Sequence, residues 1–384
     1  MFPTGETMAL FAVSFLLIYS LMHLLVWCGV RPLIPVGRRL RRGLAAWGAA
    51  MILAPVLTRL LERVELDFAA RLLAWIGYLW MDFVWLAFAL FTAQGAWNGI
   101  MRIGGRRWPP LRNWLLTGRR PALFAVTAVL LAGTWAFYQA RELQVERVQL
   151  AVPGLPAAQP PLRIVQVSDL HLGLINREAL LADVLERIGQ LQPDLLVVTG
   201  DLLDAQRNHL EGLAEPWRRI VPPLGKFAVA GNHEAYAGRD NSRQFLQAAG
   251  FQLLHNEVVA TGAVQIAGVP DPAWGDDQPD SRVLTAADPE RVTIFLKHRP
   301  WVEEAAIGRF ALQLSGHAHR GQIFPFNLLT GFAYPMQDGL YRLGRDSWLY
   351  TSRGTGTWGP PMRLFSPPEL TLIELTTAGV PAKG

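Results

Sequence analysis

Long apolar runs fill the first third of the chain, and short apolar runs ending on polar residues fill the rest. Met8 to Val30 is apolar almost throughout, and about 20 such residues suffice to cross the hydrocarbon core of a bilayer. The run lacks the small-residue cleavage pattern of a removed leader, so it reads as a retained helix. Leu44 to Thr58 is shorter and carries Pro55, Leu72 to Ala96 is rich in Trp and Phe, and Ala122 to Gln139 completes the series. The pattern predicts a transmembrane anchor of about four helices over residues 1–140. Residues 141–160 are polar and then Pro-rich, and read as a connector. From 161 onward the period changes. Strand-type runs at 163–168, 194–199, 226–230, 263–269, 292–297 and 310–314 alternate with helical patterns such as 177–191 and 240–249. Alternation of this kind predicts an α/β domain over 161–384, its sheet covered by helices.

Charge follows the same division. The 384 residues carry 36 basic and 31 acidic side chains, net +5. Residues 1–149 hold 16 arginines and 7 acidic residues, net +9, and the remainder holds 20 basic and 24 acidic, net −4. A nucleic-acid surface needs Lys and Arg clustered on the folded domain, so the acidic balance there argues against a nucleic-acid partner. Cys28 is the only cysteine, which excludes intramolecular disulfides and thiolate metal sites. Asp82 lies inside WMDFVW, near the middle of the third apolar run. A carboxylate at that depth costs ~2.5–3.5 kcal/mol on insertion scales, so it is expected to face the bundle interior or to be protonated. An interhelical hydrogen bond is the plainer reading of it.

The chemistry sits where the short runs end. RIVQVSDLHLG ends on Asp169 and His171, LLVVTGDLLD on Asp201 and Asp204, KFAVAGNHE on Asn232 and His233, TIFLKH on His298, and ALQLSGHAH on His317 and His319. Ligands of open α/β sheets bind beyond the carboxyl ends of the strands, so five such ends predict one shared site. Any one of these residues alone would pass for a cap or a surface group. Together, carboxylate, amide and imidazole without thiolate suit hard or borderline ions such as Mn, Fe or Zn. Seven ligands exceed what one catalytic ion with an open position can use, but suit two ions ~3.5–4 Å apart that share a carboxylate.

In this order the residues resemble the calcineurin-like metallophosphoesterases, over roughly residues 160–376. The tail SRGTGTWGPPMRLFSPPELTLIEL and the segment SGHAHRGQI look like the membrane-associated bacterial branch typified by YkuE and YaeI, with Ala318 in place of that branch's Thr and Arg320 in place of its Gly. The resemblance implies a four-layer αββα sandwich, with DGLYRL, SWLYTS and ELTLIEL as later strands of the second sheet. It implies that Asp169, His171 and His319 bind one metal, that Asn232, His298 and His317 bind the other, and that Asp201 bridges both. Hydroxide shared by the ions would attack phosphorus in line, since the pKa of bound water falls toward ~7. His233 would act as general acid or transition-state stabiliser; the alternative is that it only orients Asp169 or a water. Asp204 and Glu234 read as supporting or capping groups. Arg320 and Arg353 are candidate phosphate clamps, since a guanidinium pairs bidentately with phosphate; an exposed or structurally paired Arg is the alternative. His209 and His255 fit no ligand spacing and read as surface residues, and His23 as a helix-packing residue.

The expected activity is hydrolysis of a phosphomonoester or phosphodiester by a membrane-anchored enzyme. A second reading is hydrolysis of a lipid-linked pyrophosphate, as of UDP-diacylglucosamine, and a third is a non-catalytic membrane module with a structural metal site. Orientation in a bacterial inner or plasma membrane bears on the choice. Residues 31–43 and 97–121 hold five and six Arg with no acid, whereas 59–71 mixes Arg59, Arg63 and Arg71 with Glu62, Glu65 and Asp67. Short cytoplasmic loops carry the excess of Arg, so both basic loops are expected inside and the catalytic domain outside the cytoplasm. Alkaline phosphatase fused to the carboxyl terminus should then be active and green fluorescent protein dark; a fluorescent, phosphatase-inactive pair reverses the topology.

Overall fold

The computed structural model describes residues 5–34, 37–156, 160–204, 210–344 and 346–377; His209 lies outside the described residues. The chain divides into two compact units, one of Pro3–Tyr138 with Gly359–Leu364 and one of the remainder.

In the first unit, α1 (Gly5–Val30), α2 (Arg38–Arg63), α3 (Asp67–Gly104) and α4 (Arg119–Gln139) are four helices long and apolar enough to cross a membrane. Pro55 does not interrupt α2; a proline inside a spanning helix is tolerated when neighbouring helices and local adjustment satisfy the freed backbone. Large side chains such as Leu17, Leu21, Leu24 and Phe124 point outward, the inverse of a water-soluble bundle. Small residues bring the helices together, as where Gly77 of α3 meets Ala54 of α2, a packing mode suited to lipid surroundings. Trp80 donates from Nε1 to His23 Nε2 at 2.9 Å, so His23 does pack between helices. Asp82 is buried, as its depth requires. Its Oδ2 has no hydrogen-bond partner among the described residues, so the interhelical bond expected of it is not seen at that atom. Asn98 exchanges two hydrogen bonds with the backbone of Leu116, tying the basic segment after α3 back onto the helix.

The second unit holds two six-stranded sheets. One has the order β1 (Gln144–Val152), β12 (Glu369–Thr377), β2 (Leu162–Val167), β3 (Leu195–Val198), β4 (Lys226–Ala228), β5 (Gln252–Leu253); the other has β10 (Gly339–Arg342), β11 (Trp348–Thr351), β9 (Leu312–Ser315), β8 (Val292–Lys297), β7 (Val264–Val269), β6 (Glu257–Thr261). Strands β2 to β5 are parallel, as are β7, β8, β9 and β11. Ile164, Leu195 and Val197 from one sheet pack against Ile266, Ile294 and Leu314 from the other. The alternate residues Val165, Leu196 and Val198 face outward onto Leu181, Val184 and Ile188 of α5 (Glu178–Leu191) and onto Phe245 and Leu246 of α7 (Arg239–Ala248), the helix after α6 (Asn232–Ala237). Ala267 and Phe295 do the same on the second sheet, against Val283 of α8 (Asp280–Val283) and Phe310. Burial on both faces is why these strands read as continuous apolar runs, and the result is the αββα layering.

Two expectations are corrected. Residues 144–152, read as connector, form β1, parallel to β12; QVERVQLAV has the polar and apolar alternation of a half-buried edge strand. ELTLIEL belongs to the first sheet, between β1 and β2, and not to the second. Periodicity reports that a strand is buried but not which sheet receives it.

Candidate metal centre

Each parallel strand delivers its polar residues through a sharp turn. Asp169, His171, Asp201, His317 and His319 all have left-handed backbone, with φ of 53°, 51°, 52°, 71° and 49°. Such conformations are sparse for residues with a Cβ and cost roughly 1–3 kcal/mol each unless the surroundings enforce them. Hydrogen bonds enforce them here. Asp169 N donates to Gly200 O at 3.0 Å and His171 N to Asp201 O at 3.0 Å. The glycines beside the functional residues permit the approach: a Cβ on Gly231 would collide with the Asp201 carboxylate, and one on Gly316 with Ser168 and Asp169.

The side chains converge as the strand ends predict. Three groups of ligand atoms lie close enough to hold a cation: Asp169, His171 and His319; Asp201, His298 and His317; and His171, Asp201 and His233. His171 Nε2 and His319 Nε2 are 3.1 Å apart, and His319 Nε2 lies 3.5 Å from Asp169 Oδ1. His298 Nε2 stands 3.1 Å from His317 Nδ1, 3.2 Å from Asn232 Oδ1 and 3.1 Å from Asp201 Oδ2. Donor atoms ~2.1 Å from a common ion are separated by roughly 3.0–3.4 Å, so these spacings fit divalent cations. The remaining ring atoms orient the set: His298 Nδ1 lies 2.8 Å from Thr199 O, and His317 Nε2 lies 2.8 Å from the Tyr334 hydroxyl. Partners of this kind fix which nitrogen faces a metal. His171 Nδ1 is buried with no hydrogen-bond partner among the described residues.

Supporting groups lock the loops. Glu234 is buried and accepts from Asp201 N at 2.8 Å, Gly231 N at 2.7 Å and Leu203 N at 3.0 Å, so one carboxylate braces two strand ends. His233 N donates to Asp201 Oδ1, and His233 Nδ1 lies 2.7 Å from Asp204 Oδ1. The His233 ring also faces His171 and Trp358.

Charge in this buried space is strongly coupled. Burial is the largest influence on Asp169 and raises its pKa to about 6, with Asp201 adding to the rise. Burial also favours the neutral form of Asp201, but His298, His233 and His171 outweigh it and hold that carboxyl well below the usual range. Burial lowers His171 to about 4, helped by His233, and lowers His317 to about 2, helped by His298. His298 and His233 go the other way: against burial, Asp201 raises His298 to about 10, and Asp201 with Asp204 raises His233 to about 9.

Arg353 is a correction. Its Nη2 lies 2.8 Å from Glu369 and 3.2 Å from Glu146, and Glu369 is fully buried. The guanidinium is the counter-ion of that carboxylate and not a phosphate clamp. Arg320 Nε meets Asp338 at 3.3 Å, and the side chain is 40% exposed. Tyr334 and Trp358 were not among the expected site residues, because neither stands at a spacing that marks it.

The chain matches the family model described as calcineurin-like phosphoesterase over residues 162–321. An uncharacterized metallophosphoesterase of Aquifex aeolicus is 36% identical over 260 residues, covering 66% of this chain and 98% of that protein. The chain belongs to the calcineurin-like phosphoesterase family. Within the family, a transmembrane protein with metallophosphoesterase domain from Danio rerio is 32% identical over 279 residues, 68% of this chain. This chain spans only 63% of that protein's length. The uncharacterized metallophosphoesterase YkuE of Bacillus subtilis is 28% identical over 69% of this chain and 97% of its own. The spanning helices and the naming of such relatives support a membrane location.

Two predictions follow from the charges. A cation can take a place at His298 Nε2 only if the proton leaves, so metal affinity should rise with pH up to about 10, and binding should release protons. Calorimetric titration of the metal-depleted protein with Mn at neutral pH, in buffers of different ionisation enthalpy, should show net release; none would exclude His298 as a ligand. Arg353→Leu should destabilise the protein by roughly 3 kcal/mol, because it leaves the Glu369 carboxylate buried and unpaired. Glu369→Gln in the same chain should recover most of the lost thermal midpoint in detergent.

Proposed function

We propose that the chain is a membrane-anchored phosphoesterase whose centre holds two divalent ions, Mn, Fe or Zn. Asp169, His171 and His319 would hold one, Asn232, His298 and His317 the other, and Asp201 both. The observation that carries the reading is the position of Asp201, which clusters with His298 and His317 on one side and, on the other, with His171, itself a member of the Asp169 and His319 cluster. Bound ions there would supply Lewis acidity, making a nucleophile of water at neutral pH and offsetting charge on the phosphoryl oxygens. The chain's own groups do the rest. Asp204 holds His233 by Nδ1, which orients the other ring nitrogen, Nε2. Held protonated by Asp201 and Asp204, His233 would deliver a proton from that atom to the leaving oxygen. Trp358 and Tyr236 flank the His233 ring and limit its rotation. Arg320, next to His319, is the cation we retain for a phosphate oxygen.

The proposed domains are an anchor over 1–140 and a catalytic domain over 161–384, with 141–160 leading into the latter through β1. An even number of spans puts both chain ends on one side and the Arg-rich ends of α2, α3 and α4 on the other. That supports an extracytoplasmic catalytic domain and substrates that are phosphoesters outside the cytoplasm.

Asp201→Asn should abolish p-nitrophenyl phosphate hydrolysis in Mn and lower metal content, since both ions lose a shared charge. Near-normal turnover would remove the assignment. His233→Asn should keep the metal and lower kcat by about 10²–10⁴, the usual yield of a general acid. If metal content falls instead, His233 is a ligand.

A further inference from the structure

Immediately after the His317 and His319 loop, α9 (Phe326–Ala333) has the sequence FNLLTGFA and buries none of its residues. Leu328, Leu329 and Phe332 are exposed, Phe332 to 87%, and Phe324, Phe326 and Phe365 are exposed beside them. The ring of Phe324, two residues before α9 begins, meets that of Phe365 edge to face. Soluble surfaces seldom carry a contiguous patch of this kind unless it is an interaction site. The patch is also fused to the metal centre. The backbone of Asn327 packs so closely on Gly321 that a Cβ there would collide with it, and Tyr334, which caps α9, has its hydroxyl 2.8 Å from His317 Nε2.

Covalent geometry supplies the occupant. Between the last spanning helix, ending at Gln139, and β1, starting at Gln144, the chain reaches at most roughly 17 Å. A domain of this length is about 45 Å across, so a tether this short keeps it at the membrane surface. An exposed apolar helix flanked by aromatic residues is the kind of face that sinks into the headgroup and acyl boundary.

We propose that α9, with Phe324 and Phe365, inserts into the bilayer interface, and that the substrate class of the metal centre is a phosphoester resident in that bilayer. The substrate part rests on the phosphoesterase reading; the insertion does not. With the metal loop directly joined to α9, a phosphate at headgroup level reaches the centre without its lipid leaving the membrane.

The test uses the full chain with Cys28→Ser, carrying Phe332→Cys labelled with a nitrobenzoxadiazole fluorophore, in vesicles of phosphatidylcholine and phosphatidylglycerol. Doxyl-labelled acyl chains should quench this label, while the same label at Val221→Cys, also exposed on the catalytic unit, stays unquenched. An unquenched label at 332, including one blue-shifted by contact between two copies, overturns the insertion. Phe332→Asp should lower the ratio of phosphatidic acid hydrolysis in vesicles to p-nitrophenyl phosphate hydrolysis by about tenfold, equivalent to ~1.4 kcal/mol of interfacial binding. An unchanged ratio overturns the substrate class. Failure of the phosphoesterase reading looks different: the unmodified protein hydrolyses neither compound with Mn, and the label is still quenched.

Discussion

The Asp201 carboxylate is the fixed point of the α/β unit. It is almost wholly buried, contacts the His298 ring, receives the backbone amide of His233 and lies between clusters on either side. A buried carboxylate survives only when positive charge or donors compensate it, and here His171, His233 and His298 come from three strand ends on two sheets. Much of the local architecture answers to that need. Gly231 has no side chain because Asp201 occupies the space where one would be, and Glu234 spends its carboxylate on backbone amides of both neighbouring loops. Glu234 itself is raised to about 7, by burial first and by Asp201 second, a mark of how densely negative charge is packed around the centre.

That density also explains why the turns are left-handed. A strand that simply continued would carry Asp169 and Asp201 past each other on alternate faces. A single left-handed residue reverses the direction of the side chain within one step, and five such residues point their donors into one space. Each conformation is unfavourable alone, and is held by sheets packed on both faces around Ile164, Leu195 and Ile294. Rigid layers on either side of a strained loop cluster are a general way to preorganise a site.

These relations divide what the sequence could show from what it could not. Asp, Asn and His at strand ends are readable because strands alternate and ligand types are few; the choice of seven ligands among them came from the family resemblance, and the structure brings those side chains near one another. The spanning runs were readable for the same reason, including a second run whose Pro55 weakened it. Side-chain partners far apart in sequence were not readable. Arg353 looked like a phosphate clamp because a guanidinium pairs bidentately with phosphate, whereas its carboxylates come from β1 and β12, far away in sequence. Tyr334 reaches His317 only because α9 folds back after the metal loop. Strand β12 inserts beside β2 by long-range pairing that periodicity does not encode.

The charge balance of the two halves bears on how a phosphoester would arrive. The catalytic part carries net −4 and the helical part net +9. At long range an acidic domain repels a dissolved phosphate, and electrostatic steering would slow association. Attraction would therefore have to be local, from cations that the strand ends could hold, acting within about 10 Å at physiological salt. A substrate already confined to the membrane plane avoids this penalty, because its approach is lateral diffusion in the lipid and the last step alone is electrostatic. On the proposed reading, an acidic domain with a short tether and an exposed apolar helix joined to the His317 and His319 loop would suit substrates that diffuse in the bilayer better than dilute anions in solution.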